Sequence, residues 1–189
     1  VDPIDIRSGT DRALRQARRG AYTPATLAES AARAVATVEG TLVAIDSIHT
    51  YLSEALELTA EALAHPDTTK RAMIADRYDE LRSRIDTVAG GAKFEGVNLI
   101  DGGRASIEIT LPDGGQPRQA IGHITLLAGE RGLALKAPSE LFATNDEVEA
   151  ARASLFAARQ RLDRAAETFL NQASLLAPSL GRTPETGEA

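Results

Sequence analysis

The side chains that most often carry catalytic or metal chemistry are thinly spread along this sequence of 189 residues. Its three histidines, His49, His65 and His123, fall on three separate predicted elements, and no cysteine is present to supply a thiolate. A zinc or hydrolytic site needs several such groups at a fixed spacing, for example His-Glu-x-x-His on one helix. We therefore interpret His49 as a packed or half-exposed residue of a helix stripe, and His65 as a residue that caps a helix end.

Other nucleophile and phosphate-binding patterns are also missing from the sequence. It contains no P-loop and no Gly-x-Gly-x-x-Gly, and the helical serines Ser47, Ser53 and Ser154 lack a Gly-x-Ser-x-Gly elbow. Gly114 and Gly115 could let a ligand approach the backbone, but a hairpin turn explains them better. We predict that the chain is not an enzyme and that it holds no cofactor and no metal.

The densest charged stretch alternates acidic and basic residues within one predicted helix. The charged groups belong to Asp76, Arg77, Asp79, Glu80, Arg82, Arg84 and Asp86. Opposite charges four residues apart, such as those of Glu80 and Arg84, can pair on an exposed helix face. We interpret the stretch as a solvated face, and its functional alternative is a contact with another subunit.

The overall composition excludes some classes of partner. The formal net charge is −6, so the chain has no basic surplus to neutralise nucleic-acid phosphates. The one basic run, at Arg12, Arg15, Arg18 and Arg19, is interpreted as a solvated arm or helix face. No apolar run approaches the ~20 residues of a membrane span and no signal-peptide core occurs, so we predict neither membrane insertion nor general secretory export.

Hydrophobic spacing predicts a long first helix and a second helix that returns along it. The first begins at Thr23-Pro24 and ends at His65-Pro66, and at ~1.5 Å per residue it forms a rod of about 60 Å. Its stripe consists of Leu27, Ala31, Ala34, Val38, Leu42, Ile45, Ile48, Leu52, Leu56 and Leu63. Asp67 or Thr68 should cap the second helix, which runs to about Ala89.

A third long helix should follow the capping box at 144–147 and stop before Pro178. Its stripe consists of Val148, Ala151, Leu155, Ala158, Leu162, Ala165, Phe169, Gln172 and Leu176. Aromatic residues are only 4% of the chain, which suits helices that pack closely through small side chains. Gly40, inside the first helix, could mark one such close contact.

Between the second and third helices the pattern changes to strands. Apolar and polar residues alternate over 105–111, which predicts a half-buried strand, and 120–127 is its predicted hairpin partner. Residues 1–23 are interpreted as a flexible polar arm and 178–189 as a disordered tail. The predicted fold is mainly α: an elongated antiparallel bundle of three helices, two of them long, over 24–177, with a small β-hairpin at one end.

The second helix leads into the most informative stretch of the chain, residues 77–102. Gly90-Gly91 should end this helix, since glycine readily adopts the positive φ of a helix C-terminus. Phe94 follows directly and is expected to be buried, so that Phe94→Ala would cost about 3–5 kcal/mol.

The residues after Phe94 are expected to hold a bend in the chain. Gly96 should have a positive φ or admit a close helix. Asn98 should bond backbone amides exposed where the helix stops, and Leu99 should pin the crossing.

These residues together resemble a motif of bacterial flagellins. Flagellins have a helix ending in Ile-Asp, a Gly-containing break, and then an aromatic-x-Gly-x-Asn-Leu run. Here the matching segments are Ile85-Asp86, Gly90-Gly91, Phe94-x-Gly96-x-Asn98-Leu99, Val38-Glu39-Gly40-x-Leu42 in the first helix, and Ala151-Arg152-Ala153-Ser154-Leu155 and Gln160-Arg161-Leu162-Asp163 in the last. The resemblance extends over about residues 27–177.

The resemblance implies a structural subunit or component of the bacterial flagellar filament, which acts in motility outside the cell after flagellar export. It implies other flagellin subunits, and flagellar export or chaperone proteins, as partners. The candidate subunit contacts are Glu39, Arg152 and Arg161. The alternative is a flagellin-like binding module, such as an adhesin, a junction piece or a cap, that does not polymerise.

Flagellins also begin and end with helices that pair in the inner tube of the filament. Before Leu27 this sequence shows no amphipathic repeat, and after Leu176 it is rich in proline and glycine, so neither segment is expected to form such a helix. We expect the chain by itself to stay monomeric or weakly dimeric in physiological salt rather than form long filaments, because exposed ion pairs contribute only ~0–1 kcal/mol each.

Overall fold

A computed structural model describes residues 24–110 and 118–176, with side chains of the first helix described from residue 28. The elements are α1 (Pro24–Ala64), α2 (Thr68–Gly91), β1 (Lys93–Phe94), β2 (Val97–Asn98), β3 (Ile107–Thr110), β4 (Arg118–Ile121) and α3 (Asn145–Ser174). The predicted bundle of three helices with a small hairpin is therefore confirmed. The predicted arm over 1–23, the turn around 112–115 and the tail over 178–189 lie outside the described residues.

Helix α1 is the axis of the bundle. Its 41 residues extend about 60 Å, and it packs against both α2 and α3, which make little direct contact with each other. The stripe expected from the sequence is buried at Ala31, Ala34, Val38, Ile45, Ile48 and Leu52, whereas Leu42, Leu56 and Leu63 are half-buried. Three threonines, Thr37, Thr41 and Thr59, are also buried, and each hydroxyl donates to a carbonyl of the preceding turn at 2.8 Å.

The helix starts follow the predicted capping chemistry. The Asp67 carboxylate accepts hydrogen bonds from the amides of Thr69 and Lys70 at 2.8 and 3.4 Å. The Thr144 hydroxyl accepts from the amide of Glu147 at 3.2 Å. The Glu147 carboxylate does not return to Thr144 but accepts from the amide of Glu140 at 2.7 Å, so only half of the expected capping box forms.

The described part of the structure also contains two short antiparallel strand pairs. Strand β1 pairs with β2, and β3 pairs with β4 in a register that opposes Ile107 to Ile121 and Ile109 to Gln119. Ile109 and Ile121 are buried, as the alternation predicted for the first of these strands. The predicted partner strand over 120–127 is shifted: β4 occupies 118–121, and Ile124 and Leu126 instead donate their amides to the carbonyls of Leu99 and Ile100 at 2.9 and 3.0 Å.

Residues 122–143, here named the connecting segment, fill the space that α2 and α3 leave between them. The segment has no regular secondary structure, yet Leu126, Leu133, Leu135 and Phe142 are buried in the main core. The Phe142 ring meets the Tyr78 ring of α2 edge to face, with 5.2 Å between the ring centroids. The breakers Gly129, Gly132 and Pro138 thus shape a packed segment, not an exposed loop.

The second helix ends at Gly91, within the expected Gly90-Gly91 pair, but the positive φ expected there is wrong: both glycines are helical, and Ala92 caps the helix with φ −73°. The expectation for Gly40 is also wrong. Gly40 marks no close contact: a Cβ built there meets no heavy atom within 4 Å.

Gly132, in contrast, is required by packing. A Cβ at Gly132 would lie 2.1 Å from the Leu127 carbonyl oxygen and 2.8 Å from the Leu127 amide nitrogen. Backbone atoms cannot move aside as a flexible side chain can, so the connecting segment would have to shift.

These two sites give a matched pair of substitutions. Gly132→Ala is expected to lower the free energy of unfolding by at least about 1–3 kcal/mol, because the new methyl overlaps the backbone. Gly40→Ala is expected to raise it by about 0.5–1 kcal/mol, because alanine costs less entropy inside a helix. Urea denaturation followed by circular dichroism measures both, and equal effects of the two changes would contradict the packing at Gly132.

Candidate functional site

Asn98 is the polar centre of the bend that follows α2. Its side-chain amide donates to the carbonyls of Ala89 and Gly90 at 2.8 and 3.2 Å, and its Oδ1 accepts from the amide of Ile100 at 2.9 Å. Asn98 was expected to bond amide groups at the end of the helix. That expectation is wrong, because a helix C-terminus leaves carbonyl groups unpaired, and Asn98 donates to these carbonyls. Asn98 is only 2% exposed, and its one side chain satisfies two carbonyls at the helix end and one amide in the bend.

The turn between β1 and β2 reverses the chain within two residues. Glu95 and Gly96 have φ values of 47° and 84°, the double positive φ of a type I′ hairpin turn. The positive φ expected at Gly96 is therefore present. Leu99 is fully buried, whereas Phe94 is 37% exposed, so the expected burial of Phe94 is wrong. In the two-residue strand β1, both side chains are exposed.

The three candidate contact residues do not form one cluster. Glu39 is exposed on α1, and the guanidinium of Arg152 lies 5.8 Å from the centre of the half-exposed Phe156 ring. In the antiparallel packing of α1 and α3, Glu39 and Arg152 lie toward opposite ends. Arg161 donates from Nη1 to the Gly132 carbonyl at 2.9 Å, so part of its hydrogen-bonding capacity is used inside the molecule.

Arg71 is an important residue that the sequence reasoning missed. It is 7% exposed, and its guanidinium donates to the His65 carbonyl at 2.6 Å, the Ala143 carbonyl at 3.4 Å and Asn145 Oδ1 at 2.5 Å. It therefore joins the α1–α2 turn to the start of α3. Its position in the first turn of a helix that follows a proline reversal is typical of an exposed helix arginine, so the sequence carries no signal for its burial.

The connecting segment is held by polar anchors from two helices. On α2, the Asp86 carboxylate accepts from the amide of Ala128 at 2.7 Å, and the Tyr78 hydroxyl donates to the Lys136 carbonyl at 3.0 Å. On α3, the Ser154 hydroxyl accepts from the amide of Lys136 at 3.0 Å. Each anchor satisfies a backbone group that an irregular buried segment would otherwise leave unpaired.

Charges on the outer face of α2 differ from the expected pattern. Asp79 and Arg82 form an ion pair, whereas Glu80 and Arg84 are not within ion-pair distance among the described residues, so the expected pair is wrong. The face is solvated as expected at Asp76 and Glu80. Asp86 is also exposed, but one of its carboxylate oxygens accepts the hydrogen bond from the connecting segment.

The three histidines remain apart. His49 Nε2 lies 3.9 Å from an Asp163 oxygen across α1 and α3, and His123 Nε2 accepts from the Gly102 amide at 3.0 Å. Within residues 24–110 and 118–176, no cluster of three or more histidine or acidic side chains could hold a metal ion. Over the same residues, no helix has the length and apolarity to cross a membrane.

Comparison with known proteins identifies the fold. The crystal structure of Bacillus cereus flagellin matches with a TM-score of 0.68 and 22% sequence identity, over 82% of this chain and 89% of that chain. No protein-family profile matches the sequence. No curated protein matches it either. At this identity the likeness concerns the fold, which is flagellin-like.

Asn98 should contribute more to stability than its more conspicuous neighbour Phe94. Asn98→Ala leaves a buried amide and two carbonyls unpaired and is expected to cost about 2–3 kcal/mol. Phe94→Ala removes a ring that is partly in water already and should cost about 1–2 kcal/mol. Thermal or urea unfolding of both variants tests the order, and a larger loss for Phe94→Ala would contradict it.

Burial gives Tyr78 a signature at alkaline pH. Desolvation raises the pKa of the Tyr78 hydroxyl from 10.0 to about 12, with the neighbouring Ser154 opposing the shift. The unfolded state loses this proton near pH 10 while the folded state keeps it, so stability is intact below that pH and falls as pH rises towards the folded pKa. The loss should approach about 2–3 kcal/mol.

The control for this measurement is Tyr78→Phe, which has no proton to lose. Its free energy of unfolding should be lower at neutral pH, because the bond to the Lys136 carbonyl is gone, but it should fall less between pH 10 and 12. Urea unfolding across this range compares the two proteins, and parallel pH dependences would refute the assignment to Tyr78.

Proposed function

We propose that this chain is a structural subunit of a bacterial flagellar filament. The observation that carries the proposal is the flagellin-like fold, which spans most of both chains in the comparison. A fold alone does not define a function, so the proposal rests also on the surface that the fold presents. That surface belongs to a rod about 60 Å long and carries both acidic and basic side chains on exposed helix faces.

In this proposal the working parts are contact surfaces, and the chain performs no catalysis. The bend around Asn98 and the packed connecting segment keep the rod in one shape, as repeated contacts between identical subunits require. We propose that the protein acts outside the cell after flagellar export, with other flagellin subunits and export or chaperone proteins as partners. Glu39, Arg152 and Arg161 remain candidates for the contacts with neighbouring subunits.

A second candidate is a flagellin-like binding module that sits at one place on the flagellum without polymerising. Exposed apolar residues on α3 and at its C-cap favour it: Phe156 is 49% exposed, Leu170 55% and the capping Leu175 62%. Large apolar side chains in water often mark a surface for another protein. The two candidates differ in where along the flagellum the protein is found.

Immunogold electron microscopy of flagella from the source bacterium distinguishes them. An antibody raised against the purified chain should label the whole filament shaft if the chain is a filament subunit. Label confined to the tip or to the base of the filament would support the binding module instead. Flagella without label, from cells that express the chain, would refute both candidates, and cells lacking the gene serve as the control.

A further inference from the structure

A groove on α3 concentrates positive charge. It has a volume of about 380 Å³ and is lined by Arg161 and Arg164 of α3 and by Arg131 of the connecting segment. Its floor is apolar, with Leu126 and Ala165 buried beneath the guanidinium groups. Among the residues that the structure describes, no carboxylate lines this basic groove.

The arginines of the basic groove are arranged to receive an anion. The bond from Arg161 to the Gly132 carbonyl places that guanidinium beside Arg131, the residue before Gly132. Among the described residues, the side chains of Arg131 and Arg164 make no hydrogen bond and no ion pair. Three cations beside an apolar floor suit a carboxylate on an aliphatic stem, which is the chemistry of a glutamate side chain.

A second surface of the same chain has the opposite charge. Glu54, Glu57 and Glu61 are exposed along α1 beside Glu80 of α2, and together they border a groove of about 330 Å³. Arg77 and Arg84 also line it, so four carboxylates face two guanidinium groups. None of these six residues forms an ion pair within the described part of the chain. We name the row of Glu54, Glu57 and Glu61 the acidic ridge.

The two surfaces lie on different sides of the rod. Around its axis the order is α1, α2, the connecting segment and α3, since α1 packs on both helices and the segment is bonded to both of them. The acidic ridge borders the seam between α1 and α2, and the basic groove lies in the seam between the segment and α3, on the other side. One molecule can therefore use both surfaces at once.

We propose that the basic groove of one copy of this chain receives the acidic ridge of a second copy. The spacings match: Arg161 and Arg164 are three residues apart on α3, as Glu54 and Glu57 are on α1, so successive charges rise by the same ~4.5 Å on both helices. This interface deepens the proposed function, on which it rests, by naming the two faces through which neighbouring subunits meet.

The contact joins two different surfaces, so a pair of copies leaves one groove and one ridge unoccupied. A copy that docks its ridge still presents a free groove, and side-by-side rows of copies can grow. His49 and Asp163 fix the register of α1 against α3, and in that register Glu57 and Arg164 are offset by roughly 14 Å along the rod. Neighbouring copies are therefore staggered by about this distance. Because the charges are exposed, the contact is weak and sensitive to salt.

Sedimentation equilibrium of the full chain at two salt concentrations tests the interface. At about 0.02 M salt the wild-type protein should self-associate at high concentration, and at about 0.5 M salt, where charges are screened within a few ångströms, it should be monomeric. Arg164→Glu and Glu57→Arg should each weaken the low-salt association at least about tenfold, because each places like charges opposite one another. Arg131→Glu, in the connecting segment, provides an independent second groove variant.

Mixing the two variants gives the decisive observation. Arg164→Glu keeps an intact ridge and Glu57→Arg keeps an intact groove, so an equimolar mixture should regain wild-type association through this contact, and its other contact sets the swapped charges of residues 164 and 57 opposite each other. Arg104→Glu makes the same charge change at an exposed position outside both surfaces and should associate like the wild type. Circular dichroism of each variant confirms that the fold is kept.

The outcomes test the proposed interface separately from the proposed function. Absence of association at low salt, unchanged association of Arg164→Glu, or a mixture that stays monomeric would overturn the proposed interface. Filament label together with one of these results would refute only this interface, whereas charge-dependent pairing of a chain absent from flagella would refute only the proposed function.

Discussion

The architecture depends on the need to cover helix α1 along its whole length. A helix of 41 residues with an alanine-rich stripe cannot bury that stripe against one short neighbour. Helix α2, with 24 residues, covers one part, and α3, with 30 residues, covers another. Because both partners pack on α1 and not on each other, a gap remains between them. The small side chains of α1, such as Ala34 and Ala55, allow this close packing with few aromatic residues.

The gap between α2 and α3 explains the connecting segment. Its apolar side chains complete the core, but only part of its backbone is paired with other backbone groups, as at Ile124 and Leu126. Side chains on the flanking helices pair further backbone groups: Asp86 and Tyr78 from α2, and Ser154 and Arg161 from α3. From the sequence alone, most of these polar side chains would be placed on helix faces exposed to solvent. The bundle is therefore held by apolar stripes on one side of α1 and by side-chain-to-backbone bonds across the gap.

Periodic features of the chain could be predicted from sequence, whereas single long-range bonds could not. The three helices, the Asp67 cap and the buried face of β3 follow from spacing and local chemistry, and all are present. Phe94 departs from the prediction because it lies in a two-residue strand whose side chains are both exposed. The predicted helix end at Gly90-Gly91 is found, but without a positive φ, because both glycines stay helical up to that end. The hydrogen bond from Arg71 to Asn145 joins residues 74 positions apart, which no local pattern reveals. Among the candidate contact residues, Arg161 alone lines the basic groove, while Arg131 and Arg164 carried no motif.

The hydrogen bond between Arg71 and Asn145 has a consequence for the order in which the molecule folds. Helices α1 and α2 and the bend after them involve neighbouring parts of the chain, so they can form early at small entropic cost. The bond from Arg71 to Asn145 closes a loop of more than 70 residues and can form only when α3 docks. Contacts made after the rate-limiting step change the unfolding rate and leave the folding rate nearly untouched. We therefore expect Arg71 to act chiefly on the unfolding rate of the molecule and to have little influence on its folding rate.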